Sequence, residues 1–120
     1  MTNKIKEVEL PVYKSSYLLL LYSFKLIKNL TREYKYTIGE KIKNEMIDLL
    51  MNVYIANKVK NREVKLEKVE NAILNIEVIR LLFRLLLDLH EISIKEHVKV
   101  NVDIENVRRQ LIGWEKVLKR

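Results

Sequence analysis

The sequence predicts an all-α protein, an antiparallel up-down-up-down four-helix bundle, and three observations carry that prediction. Two glycines and one proline in 120 residues are too few to supply the tight turns of a many-stranded sheet. Apolar residues make up 48% of the chain and charged residues 32%, the balance of amphipathic helices rather than of a disordered chain. Apolar positions also recur at three- and four-residue spacing through four segments of helical length. The size is that of one domain, read as a flexible leader over residues 1–10 followed by a bundle domain over residues 11–120.

Pro11 suits the first turn of a helix, where its missing N–H is no loss, and helix one is expected to run from there to about Leu30. Tyr13, Tyr17, Leu20, Phe24 and Ile27 form one apolar stripe along it; Leu19, Tyr22 and Leu26 form another. A monomeric bundle needs one buried stripe per helix, so the first is assigned to the core and Leu19, Tyr22 and Leu26 to an oligomer interface. Thr31 to Tyr36 reads as a basic, aromatic connector, and Thr37-Ile38-Gly39-Glu40 as a capping box that opens helix two. Ile38, Ile42, Met46, Leu49, Val53 and Ala56 keep the helical repeat until Asn57, where a basic stretch holding Lys58, Lys60, Arg62 and Lys65 reads as a loop.

Helix three carries Val69, Ala72, Ile73, Ile76, Ile79, Phe83 and Leu86 on its apolar side and extends to about His90. Ser93-Ile94-Lys95-Glu96 is a second capping box, and it starts a helix with Ile104, Val107, Leu111, Trp114 and Leu118 at heptad spacing. Val98, Val100 and Val102 alternate as a strand would, but the cap before them and the repeat after them favour helix. The short links at 31–36 and 91–92 favour antiparallel neighbours.

A formal charge of +7 favours polyanionic partners. The absence of cysteine excludes a disulfide framework, a thiolate nucleophile and a Cys-type zinc site, and suits a reducing cytoplasm. The apolar run Tyr17 to Tyr22 falls far short of the roughly 20 residues of a spanning helix, so no membrane partner is expected, and no cleavable signal is recognisable. Catalysis needs a nucleophile with a base, a carboxylate pair in a cleft, or metal ligands at matched spacing, and none stands out. His90 and His97 are the only histidines, read as capping or packed surface residues, so no metal and no cofactor is expected. Gly39 and Gly113 stand alone, which excludes a Gly-rich phosphate loop. The chain reads as non-enzymatic.

Its cations are the candidates for binding. Glu77, Arg80, Arg84 and Asp88 share one face of helix three, so they either pair internally or bind a partner. Lys95, Lys99, Arg109, Lys116 and Arg120 lie close to one face of helix four with Asn106 between them and few acids, a row that attracts phosphates without reading bases. Lys58, Lys60 and Arg62 in the loop add to it, although a solvated face is the ordinary place for any one lysine. Tyr34 and Tyr36 sit among Arg32, Lys35 and Lys41, an interleaving that stacks exposed bases or packs against the bundle end. Trp114 is core or interface.

Several segments occur together: Tyr13-Lys14 with Tyr22, Glu33-Tyr34-Lys35-Tyr36-Thr37-Ile38-Gly39, Ile42 and Ala56-Asn57, Ile79-Arg80 through Phe83-Arg84 to Asp88-Leu89, and Ile112-Gly113-Trp114. In this combination, from Leu10 to the C-terminus, the chain resembles the family of small four-helix-bundle proteins that includes the accessory variability determinants (Avd) of diversity-generating retroelements and the proteins encoded by intervening sequences in bacterial 23S rRNA genes. The resemblance implies an antiparallel protomer, assembly as a homopentameric barrel, a basic surface and no enzymatic activity. It also implies partnership with a reverse transcriptase and with RNA or DNA, supporting cDNA synthesis and mutagenic retrohoming. Carried over by position, Arg80, Arg84 and Arg108 or Arg109 lie on the partner-binding surface. Asn29-Leu30-Thr31 replaces the usual Phe-Pro, and Ile112 replaces a second glycine before the tryptophan. Two other readings stay open: an rRNA intervening-sequence protein of unassigned role, and a structural oligomer whose charge serves only solubility.

Overall fold

The computed structural model describes residues 10–120, and the expected leader lies outside the described residues except for Leu10. Four helices account for the architecture, with no strand among the described residues. Helix α1 is Pro11–Lys28. Helix α2 is built of three consecutive pieces, Arg32–Tyr34, a π turn over Lys35–Gly39, and Glu40–Lys58. Helices α3, Arg62–Asp88, and α4, Ile94–Leu118, complete the bundle. Helices α1 and α3 each pack chiefly against α2 and α4. With 27 residues, α3 is about 40 Å long at 1.5 Å per residue, which matches the 43 Å long axis of the molecule.

The inner faces of α2, α3 and α4 follow the helical repeat: Ile42, Met46, Leu49 and Val53 meet Val69, Ala72, Ile76, Ile79, Phe83 and Leu86, with Val100, Ile104, Val107 and Leu111 closing the core. Val98 and Val102 point outward from a helix, not a strand. The Ser93 capping box forms, with Ser93 Oγ accepting from the Glu96 N–H at 3.0 Å and Glu96 Oε1 accepting from the Ser93 N–H at 2.9 Å.

Helix α1 departs from expectation. Its buried line is Val12, Ser16, Leu19, Ser23, Leu26 and Ile27, so Leu19 (1% exposed) and Leu26 (6%) belong to the protomer's own core and not to an oligomer interface. Tyr22 is half-buried against that core. The line of Leu19 and Leu26 is the buried face itself, continued by two serines, and the tyrosine-bearing stripe is its shoulder. Ser16 Oγ donates to the Val12 carbonyl at 2.7 Å, which lets a hydroxyl sit in an apolar core. Tyr17 is exposed instead of buried.

Thr37 does not cap a helix. Its hydroxyl donates back to the Glu33 carbonyl at 2.8 Å, because the residues before it are already helical and their carbonyls are within reach. The expected connector 31–36 is thus largely helix. Gly39 is buried where α1 and α2 come together: a Cβ there would lie 2.8 Å from Ile27 Cγ2 and 3.3 Å from the Tyr34 carbonyl oxygen. The long basic loop is also shorter than expected. Helix α2 continues to Lys58 and α3 starts at Arg62, with Asn61 Oδ1 accepting from the Val64 N–H at 3.0 Å as its N-cap.

The ends of the bundle are tied by hydrogen bonds distant in sequence. Glu91 Oε1 accepts from the Thr31 N–H at 2.8 Å. Ser15 Oγ and Gln110 Nε2 lie 3.0 Å apart. Helix α3 ends in a Schellman arrangement, with the Glu91 N–H on the Leu86 carbonyl at 2.9 Å and the His90 N–H on the Leu87 carbonyl at 3.0 Å. His90 takes the left-handed position, φ 60°, that glycine usually fills.

Candidate nucleic-acid interface

Because Ile76, Ile79, Phe83 and Leu86 turn α3 inward, Arg80 and Arg84 emerge one turn apart on its outer side. Val100 and Ile104 do the same for α4 and bring His97, Asn101 and Glu105 up opposite them. These five side chains and Leu81 line a groove of about 330 Å³ between the two helices. Arg80 Nε lies 3.3 Å from Glu77 Oε1, and Arg84 Nε lies 3.1 Å from Asp88 Oδ1. Arg108 spans the helices, with Nε 3.5 Å from Glu77 Oε1 and Nη1 3.9 Å from Glu105 Oε2.

These are pairs that water reaches. The Arg80 and Arg84 side chains are 50% and 67% exposed, and exposed pairs contribute at most about 1 kcal/mol. Arg80 and Arg84 hydrogen-bond Glu77 and Asp88 through Nε, and their terminal nitrogens make no hydrogen bond among the described residues. An incoming phosphate can therefore engage the terminal nitrogens without first breaking a buried network. Internal pairing and anion binding are compatible here.

The other expected cations divide. The helix-four row is less lopsided than its sequence implies, because Lys99 is paired with Asp103 and its Nζ lies 4.6 Å from the Tyr22 ring centroid, toward α1. Lys95, Arg109 and Lys116 are exposed, with no carboxylate in ion-pair reach among the described residues. Arg109 Nε donates to the Glu105 carbonyl at 3.4 Å. Arg62 is engaged elsewhere: Nε donates to the Leu118 carbonyl at 2.8 Å and Nη2 to the Val117 carbonyl at 3.0 Å. Lys65 is likewise internal, donating to the Ala56 carbonyl at 2.5 Å with Nζ 5.8 Å from the Trp114 ring centroid. Lys58 Nζ lies 5.6 Å from the Tyr54 centroid, and Lys60 is exposed.

The structure thus brings Arg80, Arg84 and Arg108 together and leaves Lys58, Lys60 and Arg62 in a separate group around the α2–α3 link. Nothing local in the sequence marks His97 and Asn101 as binding residues; their four-residue spacing on the face opposite Arg80 and Arg84 is the signal that identifies them. Among the described residues no group of three or more His, Cys, Asp or Glu could hold a metal ion. No helix among them is long and apolar enough to cross a membrane.

Residues 12–118 match the family model described as bAvd-like. The chain belongs to the bAvd-like family. The match covers all of α2, α3 and α4 and all of α1 but Pro11, so the family unit and the helical bundle coincide. The expected likeness to Avd proteins is therefore correct, and the bAvd-like family is one of accessory proteins, not a known enzyme class. No curated protein matches this bAvd-like chain.

Proposed function

We propose that this bAvd-like chain is a non-enzymatic accessory protein of a diversity-generating retroelement, binding the reverse transcriptase and its template RNA or cDNA through the α3–α4 groove. In that role it supports cDNA synthesis and mutagenic retrohoming in the cytoplasm. The observation that carries this reading is the convergence of exposed Arg80 and Arg84 on one groove in a member of an accessory-protein family. Arg108, Arg109, Lys95 and Lys116 extend the same positive surface along α4. Such a surface attracts phosphates by charge and counterion release, so binding is sequence-tolerant and weakens steeply with salt.

The active form in this reading is a homopentamer of up-down-up-down protomers. Two links support the alternation of helix direction: Thr31 beside Glu91 joins the ends of α1 and α3, and Arg62 beside Leu118 joins the start of α3 to the end of α4. Outward-facing Leu18 and Leu21 on α1, with Leu74 and Leu85 on α3, supply apolar surface for contact between subunits.

The test is a charge reversal, Arg80→Glu with Arg84→Glu and Arg109→Glu, with helicity checked by circular dichroism. Loss of co-purification with the reverse transcriptase and of retention on immobilised RNA is the expected result. Unchanged retention overturns the reading, and a wild-type protein that fails to bind heparin or RNA at low salt is a structural oligomer instead.

A further inference from the structure

The π turn Lys35–Gly39 adds a residue to one turn of α2 and so changes which side chains face out. Gly39 is held against Ile27, and Tyr34 and Ile38 are half-buried on the bundle side. Tyr36 is turned the other way. Its side chain is 62% exposed and takes no part in the tyrosine cluster of Tyr13, Tyr17 and Tyr54. The Arg32 guanidinium carbon lies 5.9 Å from the Tyr36 ring centroid, which orders the ring by a cation–π contact. Arg32 has no carboxylate partner among the described residues, and Lys28, Lys35 and Lys41 are close in sequence. Of the nearby acids, Glu40 is 3.5 Å from Lys43 Nζ.

An exposed tyrosine does nothing for the core, and this one is presented by a turn that the close approach at Gly39 keeps in place. It also lies toward the end of the bundle where the candidate groove opens. The Thr31–Glu91 hydrogen bond sets the start of α2 beside the α3–α4 link. That link follows Arg84 and Asp88 on one side and precedes Lys95 and His97 on the other. The groove and the Arg32–Tyr36 pair therefore lie toward the same end of the bundle.

We propose that Tyr36 and Arg32 form a stacking platform for an unpaired nucleobase, which makes this protein a binder of single-stranded rather than duplex nucleic acid. A base stacked between its neighbours in a duplex has no free face to offer, whereas an unstacked base lies on an aromatic or guanidinium plane whatever its sequence. The inference rests on the nucleic-acid reading above and adds the class of strand.

The experiment compares three labelled probes by fluorescence anisotropy at one salt concentration: an oligothymidylate, an abasic strand with the same number of phosphates, and a duplex of equal length. Wild-type protein is expected to bind the oligothymidylate tightest. Tyr36→Ala should weaken that binding at least about fivefold, the lower range for loss of one base–aromatic stack, bringing it to the abasic level. Its affinity for the abasic strand and its salt dependence should not change, because no phosphate contact is lost. Tyr36→Trp should retain the preference, and circular dichroism should show both variants folded. Equal wild-type affinity for all three probes, or a Tyr36→Ala protein that binds the oligothymidylate as wild type does, overturns the platform and leaves the groove reading intact. Failure of wild type to bind any probe overturns both.

Discussion

Arg62 Nε donates to the main-chain carbonyl of Leu118 at 2.8 Å, and its Nη2 reaches the carbonyls of Val117 at 3.0 Å and Arg120 at 3.3 Å. The first residue of α3 thereby closes the last turn of α4. The last turn of a helix leaves carbonyls short of N–H partners; Val117 already accepts from the Arg120 N–H at 3.3 Å, and the guanidinium adds donors there together with positive charge at the negative end of the helix dipole.

Replacing Arg62 with Ala should therefore act on stability more than on binding. A loss of roughly 1 kcal/mol is expected, the usual net contribution of an intramolecular hydrogen bond, because Arg62 is exposed. Urea denaturation reads this as a lower midpoint with an unchanged slope. Arg62→Lys should recover only part of the loss, because a single ammonium cannot reproduce the planar fork. A wild-type midpoint with weakened RNA binding would return Arg62 to the binding surface.

The two glycines should respond oppositely to alanine. At Gly39 the added Cβ meets Ile27 Cγ2 at 2.8 Å, and forcing α1 away from α2 costs about 1–3 kcal/mol. At Gly113, exposed in the last two turns of α4, nothing lies within 4 Å of the added carbon, so the higher helix propensity of alanine stabilises by roughly 0.5–1 kcal/mol. Paired thermal melts decide it, and equal shifts in one direction would refute the packing account.

His90 holds a left-handed conformation at φ 60°, where a side chain is disfavoured by about 1–2 kcal/mol. His90→Gly is expected to raise the melting temperature while leaving the Schellman hydrogen bonds in place. A lower melting temperature would mean that the imidazole makes a stabilising contribution that outweighs the strain.

Much of the bundle is legible in the sequence, and the failures have identifiable physical causes. Ser93 and Glu96 announce the start of α4 because the capping box is a local motif that needs no tertiary partner. The core of α2 and α3 is legible because unbroken apolar residues occupy the helical repeat from Ile42 to Val53 and from Val69 to Leu86. In α1 the buried line passes through Ser16 and Ser23, so the tyrosines on its shoulder give the stronger periodic signal. Thr37 has the spacing of a cap, but whether the preceding carbonyl is already in a helix depends on how α1 and α2 meet over Gly39. At the candidate groove, the ion pairs of Arg80 and Arg84 are visible as three- and four-residue spacings on one helix. Their convergence with His97 and Asn101 is not, because it depends on the α3–α4 register. The loop cations misled for the same reason: nothing near Arg62 reveals that the end of α4 lies beside it.

The reassignment of Leu19 yields a double prediction. Leu19→Ala should cost about 2–5 kcal/mol of protomer stability, as for other buried leucines. Leu21, 49% exposed, should be replaceable by Glu with little change in helicity but with a lower assembly mass in multi-angle light scattering. A Leu19→Ala protein of wild-type stability and reduced mass would restore the interface role.

The role of the groove is tested most directly by titrating labelled single-stranded RNA with the wild-type protein and with the Arg80→Glu, Arg84→Glu double variant over a series of salt concentrations. If the two arginines meet phosphates, the variant binds at least about tenfold more weakly at low salt, and its log–log salt slope is shallower by roughly one to two. An affinity and a slope equal to those of the wild type would contradict the groove as the site of nucleic-acid contact.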